Sequence, residues 1–174
     1  PSDTPYPPFQ VTQGESYVAG RGDGSRVVID DANNPDTRIV INQAIGHLRR
    51  LTVRNGLAAN AAGVNCFRST CYLSRLYVHN NVYGVLSDGS ILYLDRSRVH
   101  DNLVGGGISV AASEFHISNN WIWSNGNANT AFGGASLQDD GNNFSEFAFN
   151  TVFGNRATSP APSGVSCQRP ITLS

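Results

Sequence analysis

The sequence predicts an all-β fold, a right-handed parallel β-helix solenoid of about six to seven rungs. A glycine column, two apolar columns and a short-range alternation keep register with one another and carry that prediction. Glycine followed by a small or apolar residue recurs at Gly63-Val64, Gly84-Val85, Gly107-Ile108, Gly134-Ala135 and Gly164-Val165, in steps of 21, 23, 27 and 30 residues. Leu48, Leu73, Leu94, Ile117 and Phe147 form a second column, and Val53, Val78, Val99, Ile122 and Val152 a third. Within the repeats, Val64 and Cys66, Ile108 and Val110, Ala135 and Leu137, and Phe115 and Ile117 alternate with polar or small neighbours. That period of two gives each rung several short strands with one inward face.

Polar columns mark where the strands turn. Just after the third column stand Gly56, Asn81, Asn102, Asn125 and Asn155, and a partial second column runs through Ser97, Asn120 and Asn150. Asparagine tolerates the left-handed turn conformation, and amides repeated at about 4.8 Å can hydrogen-bond from rung to rung. Upstream, Gln10-Val11, Ser16 to Val18, Arg26 to Ile29 and Arg38 to Ile41 read as earlier strands around a glycine-rich turn at Gly20 to Gly24. The chain is therefore expected to be one domain over 1–174, with less regular first rungs in 1–47 and regular rungs in 48–174.

Composition narrows the function classes. The 12 basic residues are all arginine and the formal net charge is −1, so no global field draws in nucleic acid, and no nucleic-acid partner is expected. No apolar run approaches the roughly 18 residues of a spanning helix, so no membrane span is expected. Three cysteines match no zinc spacing. Cys66, Cys71 and Cys167 all fall at inward positions and read as small core residues. Cys66 and Cys71 also flank a corner and could pair, whereas Cys167, four rungs away at about 4.8 Å each, is out of reach of Cys66.

The rung pattern, from about Val27 to Ser174, resembles the pectin lyase-like superfamily of right-handed parallel β-helices. That resemblance implies a capping helix before the first rung, which the sequence lacks, so either a bare first rung or, as polar caps are needed for solubility, an excised piece of a longer protein is expected. It also implies enzymes acting on acidic polysaccharides, whose motifs can be tested residue by residue. Polygalacturonase-like enzymes carry paired aspartates before the inner strand, where this chain has Val82-Tyr83, Gly105-Gly106, Phe132-Gly133 and Pro162-Ser163. The Trp-Ile-Asp-His stretch of pectate lyases is matched only by Trp121-Ile122-Trp123-Ser124, without acid or imidazole. The longer steps accommodate loops at 127–132, 139–143 and 157–163, and such insertions fall on binding faces.

Two groups of residues carry candidate chemistry. Asp139-Asp140, with Asp88 and Glu114 on neighbouring rungs, could form a carboxylate patch; calcium, with its six to eight oxygen ligands, is the only cofactor considered, and the alternative is a plain polar turn. The second group lies between the inward residues: Arg50, Arg75, Arg96 and Asn119 in one column, Thr52, Tyr77, Arg98 and Trp121 in the next, Arg54, His79, His100 and Trp123 in a third. Stacked arginines invite an anion, guanidinium forks grip carboxylate or sulfate, and tryptophan and tyrosine rings offer platforms to sugars. The expected ligand-binding set is Arg75, Arg96, Arg98, Tyr77, His79, His100, Trp121 and Trp123, unless Asp95 and Asp101 neutralise the arginines. His79, His100, Asp139 and Asp140 are the candidate acid-base residues, and Asp88, Asp139 and Asp140 the candidate metal ligands.

Three functions are expected to compete. The first is a secreted or cell-surface module that binds an acidic polysaccharide or surface glycan. The second is a polysaccharide lyase or glycoside hydrolase. The third is a structural or adhesin-like β-helix whose open ends and edges self-associate. Arg21-Gly22-Asp23 and the sequon Asn143-Phe144-Ser145 are short enough to arise by chance.

Overall fold

The computed structural model describes residues 5–20, 27–30, 36–142, 144–168 and 172–173. Arg21-Gly22-Asp23, most of the Gly20 to Gly24 turn, and Asn143 lie outside the described residues. The described chain is all-β without a helix, and it winds as a parallel solenoid. Three sheets of seven, seven and six strands form its faces, and each strand pairs with the equivalent strand of the neighbouring rung. On the first face, strands such as Ala62–Phe67, Tyr83–Asp88 and Gly106–Ala111 stack; on the second, Thr70–Ser74, Ile91–Asp95 and Glu114–Ser118; on the third, Tyr77–His79, Arg98–His100 and Trp121–Trp123. About four turns are regular, fewer than the six to seven expected. The outer ones are looser because loops of unequal length interrupt them, as at 124–134 and 154–164.

The predicted columns are the core. Leu48, Leu73, Leu94, Ile117, Phe147, Val53, Val78, Val99 and Ile122 are all buried in one apolar cluster that also holds Val64, Val85, Ile108 and Leu137, and Val152 packs against it partly buried. The glycine column has a steric cause. A Cβ on Gly84 would lie 2.4 Å from the Gly107 carbonyl oxygen and 2.9 Å from Asn102 Nδ2, and Gly63, Gly107 and Gly134 meet the same pair of neighbours.

Each corner holds a side-chain ladder. Between third and first faces, the backbone N–H groups of Gly56, Asn81, Asn102 and Asn125 donate to Oδ1 of Asn81, Asn102, Asn125 and Asn155 at 2.9, 3.0, 3.2 and 2.9 Å. Between second and third faces, the N–H groups of Leu76, Ser97 and Asn120 donate to Ser97, Asn120 and Asn150. The remaining corner carries a serine ladder through Ser69, Ser90 and Ser113. These bonds satisfy buried donors that the turning backbone cannot pair itself. The stacked asparagines are not the left-handed residues, contrary to expectation. Positive φ falls one position earlier, at Asn55, Asn80, Asp101, Ser124 and Gly154, because the residue that turns the chain leaves the next side chain pointing inward.

Cys66 and Cys71 form a disulfide. Cys167 keeps the inward register, opposite Leu137, yet it is exposed. It lies on the last strand of its sheet, and inward side chains of a solenoid are buried only when a further rung covers them.

Candidate functional site

The candidate site is built on the third face and the corner that leads into it. Each three-residue strand there aims its central residue inward and the flanking two outward. Strand pairing therefore generates two columns flanking the inward one: Tyr77, Arg98, Trp121 and Thr151, continuing below to the buried Thr52, and then Arg54, His79, His100, Trp123 and Phe153. Two residues before the first of these runs a corner column, Arg50, Arg75, Arg96, Asn119 and Phe149, every member left-handed with φ between 47° and 58°. The predicted ligand-binding residues Arg75, Arg96, Arg98, Tyr77, His79, His100, Trp121 and Trp123 are thus brought onto one surface.

The rings are used differently from the expectation. His79 and His100 stack with centroids 5.0 Å apart, His100 and Trp123 at 4.1 Å, Trp123 and Phe153 at 6.1 Å, with planes within 12°. Their faces cover one another and their edges meet solvent, so the Trp123 face lies against the rings of His100 and Phe153. The rung spacing of about 4.8 Å is close to ring-stacking distance, which is why aligned aromatics close up. The Arg98 guanidinium lies over the Tyr77 ring, 5.0 Å from its centroid. Trp121 is the exception: its plane is turned 82° from Trp123 and it is 54% exposed.

The cations have unequal partners. Arg96 Nε meets Asp95 Oδ2 at 3.0 Å near the surface, an exposed pair of little energetic weight. Arg54 Nε donates to the buried Asp30 at 2.9 Å. Asp101 pairs with His100 Nδ1 at 2.8 Å instead of with an arginine. Arg50 and Arg75 have no ion pair among the described residues.

Burial above all, then the neighbouring His100 and the Arg54 guanidinium, holds His79 below its ordinary pKa of 6.5. The folded state therefore binds fewer protons here than the unfolded chain. This contribution to stability is complete above about pH 6.5 and is lost as pH falls through the folded value. Urea unfolding from about pH 8 to pH 5 should show stability declining across that window, and more shallowly in His79→Gln. Equal slopes for both chains would remove His79 as the cause.

The remaining candidates lie elsewhere. Asp139 and Asp140 occupy the corner between the first and second faces, away from the histidines. Asp139 is buried, takes the Gly141 N–H at 2.6 Å and is bonded by the Ser145 hydroxyl, while Asp140 caps Asn142. This is the polar turn. Glu114 pairs with His116 at 2.9 Å, and among the described residues no set of three His, Cys, Asp or Glu converges on a metal position. An open groove of about 730 Å³ runs along this same corner past Glu15, Arg68, Ser90 and Asp140.

A second ring ladder escaped the sequence reading. On the outer side of the second face, Tyr17, His47, Tyr72, Tyr93 and His116 stack with centroids 4.1, 4.5, 4.8 and 4.7 Å apart. The Tyr17 hydroxyl and His47 both bond Glu15, which lowers the Glu15 pKa. Its signal was present: the residue just before Leu48, Leu73, Leu94 and Ile117 is a histidine or tyrosine every time. Among the described residues no helix is long and apolar enough to cross a membrane. Comparison with protein-family models, curated proteins and solved structures returns no match.

Proposed function

We propose that this β-helix is a carbohydrate-interacting module that holds an anionic glycan along the corner between its second and third faces. The observation that carries the reading is the column Arg50, Arg75, Arg96, whose shared left-handed backbone sets three arginines along the axis one column away from the exposed Trp121. A linear polymer with a charge on each sugar repeats on the same scale as the rungs, and Trp121 supplies apolar ring contact beside the guanidinium forks. Membership of the pectin lyase-like superfamily, and a place outside the cytosol, belong to the same proposal; the Cys66–Cys71 disulfide favours an oxidising compartment. A rigid structural or adhesin-like spacer is the second reading, favoured by two ring ladders whose faces are consumed internally.

Affinity electrophoresis through gels containing sulfated, uronate or neutral polysaccharide tests the first reading. Retardation by the anionic polymers alone is expected, weakened about tenfold, or roughly 1.4 kcal/mol, in Trp121→Ala and in Arg75→Ala. Equal mobility in every gel at low salt overturns it.

A further inference from the structure

The corner column and the two outward columns of the third face make a grid three residues wide. Its successive rungs read Arg50, Thr52, Arg54, then Arg75, Tyr77, His79, then Arg96, Arg98, His100. The grid holds five arginines, of which Arg54 pairs with Asp30 and Arg96 with Asp95, while Asp101 pairs with His100; counted together with these three carboxylates it carries a net charge of +2 with both imidazoles neutral and +4 with both protonated. We propose that His79 and His100 gate this surface, so that it grips a polyanion in mildly acidic medium and loosens its hold near neutrality. This rests on the anionic-ligand reading of the same surface.

The geometry sets the gate. The two imidazoles are parallel with centroids 5.0 Å apart, so their outward edges present two charges to one ligand segment. Among the described residues, the imidazoles are surrounded by Arg54 on the rung below, held by Asp30; Asp101 on His100 Nδ1; the neutral Asn80 amide beside His79; Trp123 above; and Arg98 along the strand from His100. Without ligand, burial first and then repulsion from His100 and the Arg54 guanidinium hold the His79 pKa below its ordinary value. A polyanion laid across the grid screens that repulsion, so ligand and protons bind cooperatively and each strengthens the other.

Dextran sulfate is the probe, because its sulfates do not titrate in the relevant range. Calorimetric titration at about pH 5 and pH 7.5 should show binding roughly tenfold tighter in acid. The double variant His79→Gln/His100→Gln should bind equally at both pH values, although it retains His47 and His116 on the second face. In the unaltered protein, the ring-proton NMR titration of His79 should move to higher pH when dextran sulfate is added, a readout that needs no variant. Binding that is independent of pH, or an acid gain that survives in the double variant, overturns the gate alone. Absence of binding at both pH values in low salt overturns the anionic-ligand reading together with it.

Discussion

Asn102→Ala is expected to destabilise the protein by about 3–5 kcal/mol, more than a single hydrogen bond accounts for. Asn102 is fully buried in the middle of its ladder. Its Oδ1 accepts the Asn81 backbone N–H at 3.0 Å and Asn81 Nδ2 at 3.1 Å, while its own Nδ2 donates to the carbonyls of Val78 and His100 and to Asn125 Oδ1. Alanine leaves the Asn81 donors facing a dry void, each at a cost of about 1–3 kcal/mol, and the void adds lost packing. Urea unfolding at neutral pH should show the midpoint fall with little change in slope. A loss under about 1 kcal/mol would mean that water or a shifted rung replaces the amide.

Gly84→Ala is the second large effect. Its Cβ would be 2.4 Å from the Gly107 carbonyl oxygen, 2.6 Å from Val99 Cγ1 and 2.9 Å from Asn102 Nδ2. The first obstacle is backbone of the next rung and the third is the ladder, so relief requires separating two paired strands. We expect about 3 kcal/mol or more of destabilisation, at the upper end of what overpacking costs. Gly164→Ala is the internal control. It belongs to the same column, yet a Cβ there has nothing within 4 Å, so its thermal midpoint should stay within a degree or two of the parent, consistent with the small effect of open surface sites. Similar losses for both substitutions would show that the column matters through backbone flexibility instead of contact.

These two residues also show how much was legible in the sequence. Gly84 and Asn102 stand in columns visible at a glance, because in a solenoid the residue that must fit the next rung is repeated by that rung. The inward positions followed for the same reason, down to Phe115 and Ile117. Ring orientation was not legible. Nothing in the order of residues says that Trp123 is sandwiched while Trp121 turns away, since that depends on side-chain torsions settled by neighbouring rungs. Cys167 misled because alternation reports which way a side chain points and not whether anything covers it. The ladder through His47, Tyr72, Tyr93 and His116 was overlooked because histidine and tyrosine look unlike each other by hydropathy, although both offer a flat ring at the rung spacing. Asp139 and Asp140 drew attention as neighbours, but one turns inward to the Ser145 hydroxyl and the other caps a turn.

The corner ladders also bear on how such a molecule acquires its length. Asn81, Asn102 and Asn125 each offer the same oxygen to the rung on one side and the same amide hydrogens to its carbonyls. Each rung is consequently an interchangeable part whose two interfaces match those of its neighbours. Copying one whole repeat, or excising it, returns every column to register without inventing a new contact, so duplication of a short stretch of gene could extend the solenoid and its outward columns together.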